Sequence, residues 1–174
     1  MGKAMGNKQH LREWVKEERK KLDIKSISQI LVKKLQGSYE YKSAENIMIF
    51  YPKVEEINLL NLLEDESKNF YLPKIDGNNL LCCSYTKGDE LCESCFKTKE
   101  PLTEGVNETI LDLIIIPALA VDKNNYRLGY GGGYYDRFLK NLHCTKCVCI
   151  PKDLLVESVF PEKHDIKIDI VITE

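Results

Sequence analysis

The chain has 174 residues, 43% of them hydrophobic and 30% charged, which is the balance of a globular protein with enough material for one core of ordinary size. Its 25 basic and 27 acidic residues nearly cancel, which removes the usual electrostatic argument for a nucleic-acid or anionic-membrane partner. No stretch approaches the roughly 20 apolar residues that a bilayer-spanning helix needs.

From Lys8 to Lys21, the residues Leu11, Trp14, Val15 and Leu22 recur at helical spacing with charges on the other face, so the segment reads as an amphipathic helix. A second helix is expected next, with Ile24, Ile27, Leu31 and Leu35 on its apolar face, Asp23 as its cap and Gly37 as its stop. The run Ile47 to Tyr51, closed by Pro52, is short and almost wholly apolar, as in a parallel strand buried on both faces. A helix is expected from Ile57 through the acidic stretch to Lys68. Phe70 to Leu72, ended by Pro73, and Leu80 to Ser84 read as strands around an Asp76-Gly77 turn. Leu113 to Ile116 is a further apolar strand that stops at Pro117. After a glycine-rich stretch come a helix from Tyr134 to Leu142 and strands near Val148 and from Ile168 to Ile172. Strands alternating with helices predict an α/β fold: a single-domain, open, mostly parallel sheet flanked by helices in a Rossmann-like three-layer arrangement, with ligands at the carboxyl ends of the strands.

The segment Arg127 to Asp136 places four glycines in five positions between a strand and a helix. Glycine costs conformational entropy, so such a cluster is useful where backbone must take positive φ or approach a ligand closely. Free amides at such a turn, backed by a helix amino terminus, form a natural phosphate cradle, and Arg127 adds a planar fork of donors. The plain alternative is a flexible surface turn. No Gly-Lys-Ser or Gly-Lys-Thr follows, so this is not the familiar P-loop, and the regular dinucleotide spacing is missing too.

The order Asp112 to Asp122, then Arg127 to Asp136 and Arg137-Phe138-Leu139, resembles the signature of the 5-formyltetrahydrofolate cyclo-ligase family. Weaker agreement runs through Lys8, Leu11-Arg12, Phe50, Glu56, Glu100-Pro101, His164-Asp165 and Ile172-Thr173-Glu174. The resemblance implies an ATP- and magnesium-dependent enzyme that converts 5-formyltetrahydrofolate to 5,10-methenyltetrahydrofolate with release of ADP and phosphate. It implies ATP contacts at Lys8, Arg12, Arg127, Leu128, Gly129, Tyr130, Gly131, Gly132, Gly133, Tyr134 and Tyr135, with Arg127 and Tyr134 nearest the chemistry. It implies magnesium (Mg2+) at Asp136 and Asp165, and folate at Tyr51, Glu56 and the loop from Tyr130 to Tyr134. Many family members have phenylalanine and glycine where this chain has Val121 and Asn125; asparagine tolerates the left-handed backbone such a turn needs.

Cys92/Cys95 and Cys144/Cys147 have the spacing of a four-thiolate zinc site, which keeps a zinc-stabilised interaction domain as an alternative, beside a binding module that holds ATP or folate without turnover. Seven cysteines, an odd number, and a polar Met1 to His10 without a signal-peptide core lead us to expect reduced thiols, a cytoplasmic location and small-molecule partners, with the chain a monomer.

Overall fold

The computed structural model describes residues 6–174, so the expectation made for Met1 to His10 lies in part outside the described residues. Two helices open the chain, α1 (Lys8–Arg19) and α2 (Ile24–Gly37), followed by the short α3 (Tyr39–Ser43) and strand β1 (Asn46–Met48). Asp23 caps α2 by accepting the Ser26 N–H, as its position predicts. Gly37 is the last residue of α2 rather than its stop: Ser38 both ends α2 and caps α3, its hydroxyl accepting from the Tyr41 N–H at 3.2 Å.

The middle of the chain forms β2 (Asn69–Asp76), β3 (Asn79–Tyr85), β4 (Leu91–Glu93), β5 (Lys99–Pro101) and β6 (Gly105–Val106). The rest forms β7 (Leu113–Ile115), β8 (Ala120–Asp122), β9 (Arg127–Leu128), α4 (Tyr134–Leu139), β10 (Thr145–Cys149), β11 (Leu155–Val156) and β12 (Ile170–Ile172). The main sheet has seven strands in the order β12-β10-β7-β1-β2-β3-β6. Its first five are mutually parallel, and β3 and β6 add an antiparallel edge. Two small sheets, β11-β8-β9 and β4-β5, complete the architecture. The expected mostly parallel α/β sheet flanked by helices is what the chain forms.

The alternation of side chains along the central strands divides the core. Ile47, Ile49, Leu113 and Ile115 pack with Leu31 and Leu35 of α2, while Met48, Ile114 and Ile116 pack with Leu11 and Val15 of α1 and Leu139 of α4. Helices thus cover both faces, and a parallel sheet hidden on both sides explains why these strands are apolar without a polar face. Each fully buried aliphatic chain contributes about 1.5–3 kcal/mol relative to its exposure.

Three expected boundaries are corrected. The segment Ile57 to Lys68 holds only a 3-10 turn, Leu60–Glu64. Asn58 accepts the Leu60 N–H and Asp65 accepts the Ser67 N–H, local bonds that compete with a helix. Pro73 does not end β2; it lies within the strand, paired with Cys82. Its neighbours on that side, Tyr71 and Ile75, bond to Ile49 and to the Glu100 carboxylate rather than to β3, so the β2–β3 ladder loses no bond to the proline. The helix after the glycine loop stops at Leu139, three residues early.

Candidate active site

The parallel strands β1 and β7 are neighbours, and the sheet continues from β1 to β2 on one side and from β7 to β10 on the other. Their carboxyl ends therefore open the crevice at which α/β sheets bind ligands. A cavity of about 710 Å³ lies there. Phe50, Tyr51, Lys53 and Glu56 line it from the segment after β1, Pro117 from the end of β7, and Lys8 and Arg12 from α1. Arg127 and residues 129–136 form another wall, Glu162 and Asp165 a third, and Ile75, Leu80, Phe96 and Lys99 close it from the hairpins.

The glycine loop has the backbone that its composition requires. Gly131 sits at φ +105° and Gly133 at +71°, both in the region that L side chains rarely adopt. A Cβ at Gly133 would lie 2.6 Å from Arg137 Nη1. The loop is held from both sides: Arg12 Nε donates to the Gly129 carbonyl at 2.9 Å, and Arg137 donates to the Asn78 carbonyl in the β2–β3 turn. Tyr134, which opens α4, has Arg137 5.0 Å from its ring and Phe96 against it edge-on at 5.6 Å. Because α4 has six residues, the loop amides carry more of the anion-binding capacity than the helix dipole does.

Arg127 is the strongest electrostatic feature. Its side chain is 7% exposed; Nη1 donates to the Pro117 carbonyl at 3.1 Å, and Nη2 lies 3.8 Å from Asp136 Oδ1. Its Nε is buried with no partner. Burial pulls its pKa down, with Asp136 the leading opposing charge, and a guanidinium stays protonated through such a shift. A buried cation with one idle donor and only a loose carboxylate contact is short of negative charge, which a phosphate supplies.

Asp165 is the counterpart. Its Oδ2 accepts from Lys8 Nζ at 2.8 Å and from the Glu162 N–H at 2.9 Å, leaving Oδ1 3.4 Å from His164 Nε2. Burial pushes its carboxyl up, but the Lys8 hydrogen bond and the Glu162 N–H outweigh that and hold it below the usual value. Donor atoms of Asp136, His164 and Asp165 all lie within 4.8 Å of one another. Two carboxylates with a free oxygen on Asp165 fit magnesium, which takes hard oxygen ligands and leaves positions for substrate phosphates.

Glu56 is buried, and its Oε1 accepts the Lys53 N–H at 2.8 Å. Tyr130 is 44% exposed as a residue, yet burial of its hydroxyl and then the Glu56 charge raise its pKa, so it stays a neutral donor. Below it lies Arg19, also buried, donating to the Glu55 and Ala118 carbonyls at 3.1 and 2.7 Å.

Every site residue expected from the sequence lines this cavity except Leu128. The Leu128 side chain is buried in the core, and its carbonyl accepts the Leu119 N–H, so that side chain does not reach the cavity. Lys53, Phe96, Lys99 and Arg19 were not picked out by sequence, since a lone charge or aromatic on a polar segment carries no local signal. The zinc spacing does not assemble. Cys144 packs on one face of the sheet and Cys147 on the other, Cys92 and Cys95 are exposed near β4, and among the described residues no four thiols converge.

A model of the family described as "5-formyltetrahydrofolate cyclo-ligase family" matches residues 4–174. The chain belongs to the 5-formyltetrahydrofolate cyclo-ligase family. The cyclo-ligase of Escherichia coli K12 is 33% identical over 143 residues, covering 75% of this chain and 78% of that one. The mouse cyclo-ligase is 26% identical over 188 residues, covering 96% and 89%. Among solved structures, the Aquifex aeolicus 5,10-methenyltetrahydrofolate synthetase superposes with a TM-score of 0.85 at 29% identity, covering 95% of this chain and 89% of that one. The Mycoplasma pneumoniae 5,10-methenyltetrahydrofolate synthetase, at 20% identity and a TM-score of 0.77, shares the fold and covers 95% and 97%. From the cyclo-ligase signature, Pro117, Arg127 and residues 129–136 line the cavity.

Proposed function

We propose that this chain converts 5-formyltetrahydrofolate and ATP to 5,10-methenyltetrahydrofolate, ADP and phosphate, with magnesium, as a single domain over 1–174. One observation carries the reading: a single cavity is lined both by Lys8, Arg12, Arg127 and the glycine loop and by the apolar and aromatic side chains of Tyr51, Ile75, Leu80 and Phe96. The first set suits a triphosphate and the second a flat heteroaromatic ring. In this reading Lys8, Arg12 and the stretch from Arg127 to Tyr135 hold ATP, and Tyr51, Glu56 and Tyr130 to Tyr134 meet the folate. Magnesium bound by Asp136 and Asp165 supplies charge neutralisation on the phosphates.

A formamide carbon is a poor electrophile because its nitrogen donates into the carbonyl. Transfer of the γ-phosphoryl group to the formyl oxygen forms an O–P bond, releases ADP and makes that oxygen a leaving group. A neighbouring folate nitrogen then attacks the carbon; its N–C bond forms as the C–O bond breaks, phosphate departs and the nitrogen loses its proton. The chain needs no nucleophile of its own, only positioning and positive charge, as is general for phosphoryl transfer. Arg127, with its idle Nε, is placed to meet charge developing on the transferred group. Tyr134, which opens α4 and has Phe96 against its ring, fixes the folate ring against the loop. Glu56, buried beside Tyr130, accepts hydrogen bonds from the folate ring or amine.

The oxygen transfer can be traced directly. Substrate carrying 18O in the formyl group should deliver the label into the released phosphate. Label remaining in water or in a hydrolysed formate would overturn the phosphorylation step.

A further inference from the structure

The segments that leave β1 and β7 at their carboxyl ends form two lips of the crevice, and one buried side chain outside the cavity ties them together. Arg19, the last residue of α1, donates through Nη1 to the Glu55 carbonyl on the first lip at 3.1 Å and through Nη2 to the Ala118 carbonyl on the second at 2.7 Å. It is 6% exposed, and its Nε is buried with no partner. The residues it grips are next to the two groups given roles above. Glu55 precedes Glu56, and Ala118 follows Pro117, whose carbonyl accepts from Arg127 Nη1 at 3.1 Å. Consecutive carbonyls of the second lip are thus held by two buried arginines, each with an idle Nε.

The first lip has little else to fix it. Residues 50–59 form neither strand nor helix, and the turn that carries Glu56 closes on itself: the Glu56 N–H donates to the Lys53 carbonyl at 3.1 Å, and the Glu56 carboxylate accepts the Lys53 N–H. Two hydrogen bonds tie this stretch to the helices, the one from Arg19 to Glu55 and one from the Asn58 N–H to the Ser28 hydroxyl of α2 at 2.9 Å. A guanidinium suits a bridge between lips because its planar fork holds two acceptors at a fixed separation. Burying a cation costs desolvation that an apolar side chain of similar size avoids, so packing alone does not call for arginine here. Burial does most to raise the Tyr130 pKa; the Glu56 charge adds to it and the Arg19 charge opposes it, which puts that hydroxyl beside both.

We propose that Arg19 is a positioning residue: by bridging Glu55 and Ala118 it sets the separation of Glu56 from Arg127, and with it the alignment of the formyl oxygen with the phosphoryl group it receives. The inference rests on the proposed reaction. Arg19 is not among the residues that line the cavity, so it acts through these neighbours. If the lips shift, a phosphoryl group without a formyl oxygen in line goes to water instead: an O–P bond forms to the water oxygen, the bond to ADP breaks, and the water gives up a proton.

The test measures ADP released per ring closed, beside kcat, KM and thermal melting, for Arg19→Met and Arg19→Lys. A smaller folded fraction lowers ADP and product together and leaves their ratio at one, whereas misalignment raises the ratio. The unaltered chain should release one ADP per ring. Arg19→Met should lower kcat for ring closure about thirtyfold, leave KM for ATP within about twofold, and release about two or more ADP per ring. Arg19→Lys keeps the charge without the fork and should uncouple as well, which covers the case in which the methionine chain does not fold. Ser28→Ala removes the other tie and should lower Tm with the ratio unchanged. A ratio of one in the folded arginine variants, failure of both to fold, or equal uncoupling in Ser28→Ala overturns the proposal. An unaltered chain that closes no ring overturns the proposed reaction, and this inference with it.

Discussion

Arg137 donates through both Nε and Nη2 to the carbonyl of Asn78, at 3.0 and 2.7 Å. This joins the first turn of α4 to the β2–β3 turn, and with the weak Tyr134 hydroxyl contact to Gly77 at 3.4 Å it makes the hairpin a brace for the glycine loop. Since Arg137 is exposed, Arg137→Ala should cost only about 1 kcal/mol of stability while loosening the loop. We expect KM for both substrates to rise about fivefold, with Tm lower by a few degrees, measured by steady-state kinetics and thermal melting.

The same contact makes Gly133 the least replaceable glycine of the loop. Gly133→Ala must place a side chain at φ +71° and displace Arg137 Nη1, at a cost of about 1 kcal/mol or more, and turnover should fall more than tenfold. Gly37→Ala is the contrast: it meets open space at the end of α2 and should raise stability by about 0.5 kcal/mol with normal kinetics. Denaturant titration of both variants beside turnover checks the pair.

Arg127 should matter to rate far more than to folding. Its burial with an idle Nε means that Arg127→Met removes a poorly balanced cation along with one carbonyl bond, for a net stability change of about 1 kcal/mol. Turnover should drop at least about a hundredfold, in the range seen when an electrostatic stabiliser is deleted. Asp136→Ala should follow the same pattern. Loss of folding in either variant, without a selective kinetic defect, would count against the assignment.

The cysteines give a pH signature. Burial, with Cys83 the next contributor, pushes the Cys82 thiol up from 9.0 to about 12. A thiol whose folded pKa is raised favours the folded state below its unfolded pKa, and that contribution is lost as pH climbs from about 9 toward 12, because the unfolded chain releases its proton first. Stability should therefore fall across that interval, and Cys82→Ala should flatten the decline. In native protein near pH 8, thiol reagents should label the exposed Cys92 and Cys95 quickly and leave Cys82 unmodified.

The elements legible in sequence were those with a local cause. The apolar faces of α1 and α2, the Asp23 cap and the apolar runs of β1 and β7 each follow from spacing within a few residues. The Asn125 turn, at φ +64°, likewise needed only the tolerance of asparagine for that backbone. What failed turned on side-chain partners that apolar spacing does not report. Pro73 sits inside β2 on the side where Ile75 bonds to the distant Glu100, and the stretch after Ile57 forms a turn because Asn58 and Asp65 capture nearby amides. In the site, the glycine loop announced itself by composition, whereas Arg19 looked like any other charge on α1 until folding buried it against Ala118. Lys53 and Lys99 are ordinary lysines in sequence, and only the tertiary approach of Tyr130 and Tyr51 distinguishes them.

The central claim is that one cavity brings an ATP phosphate to a formyl oxygen. Its most direct test is the absorbance of methenyl product when purified protein is given 5-formyltetrahydrofolate and magnesium, with and without ATP. We expect product only with ATP, at one ADP per ring closed. Product formed without ATP, or ATP consumed with no ring closure, would contradict the account.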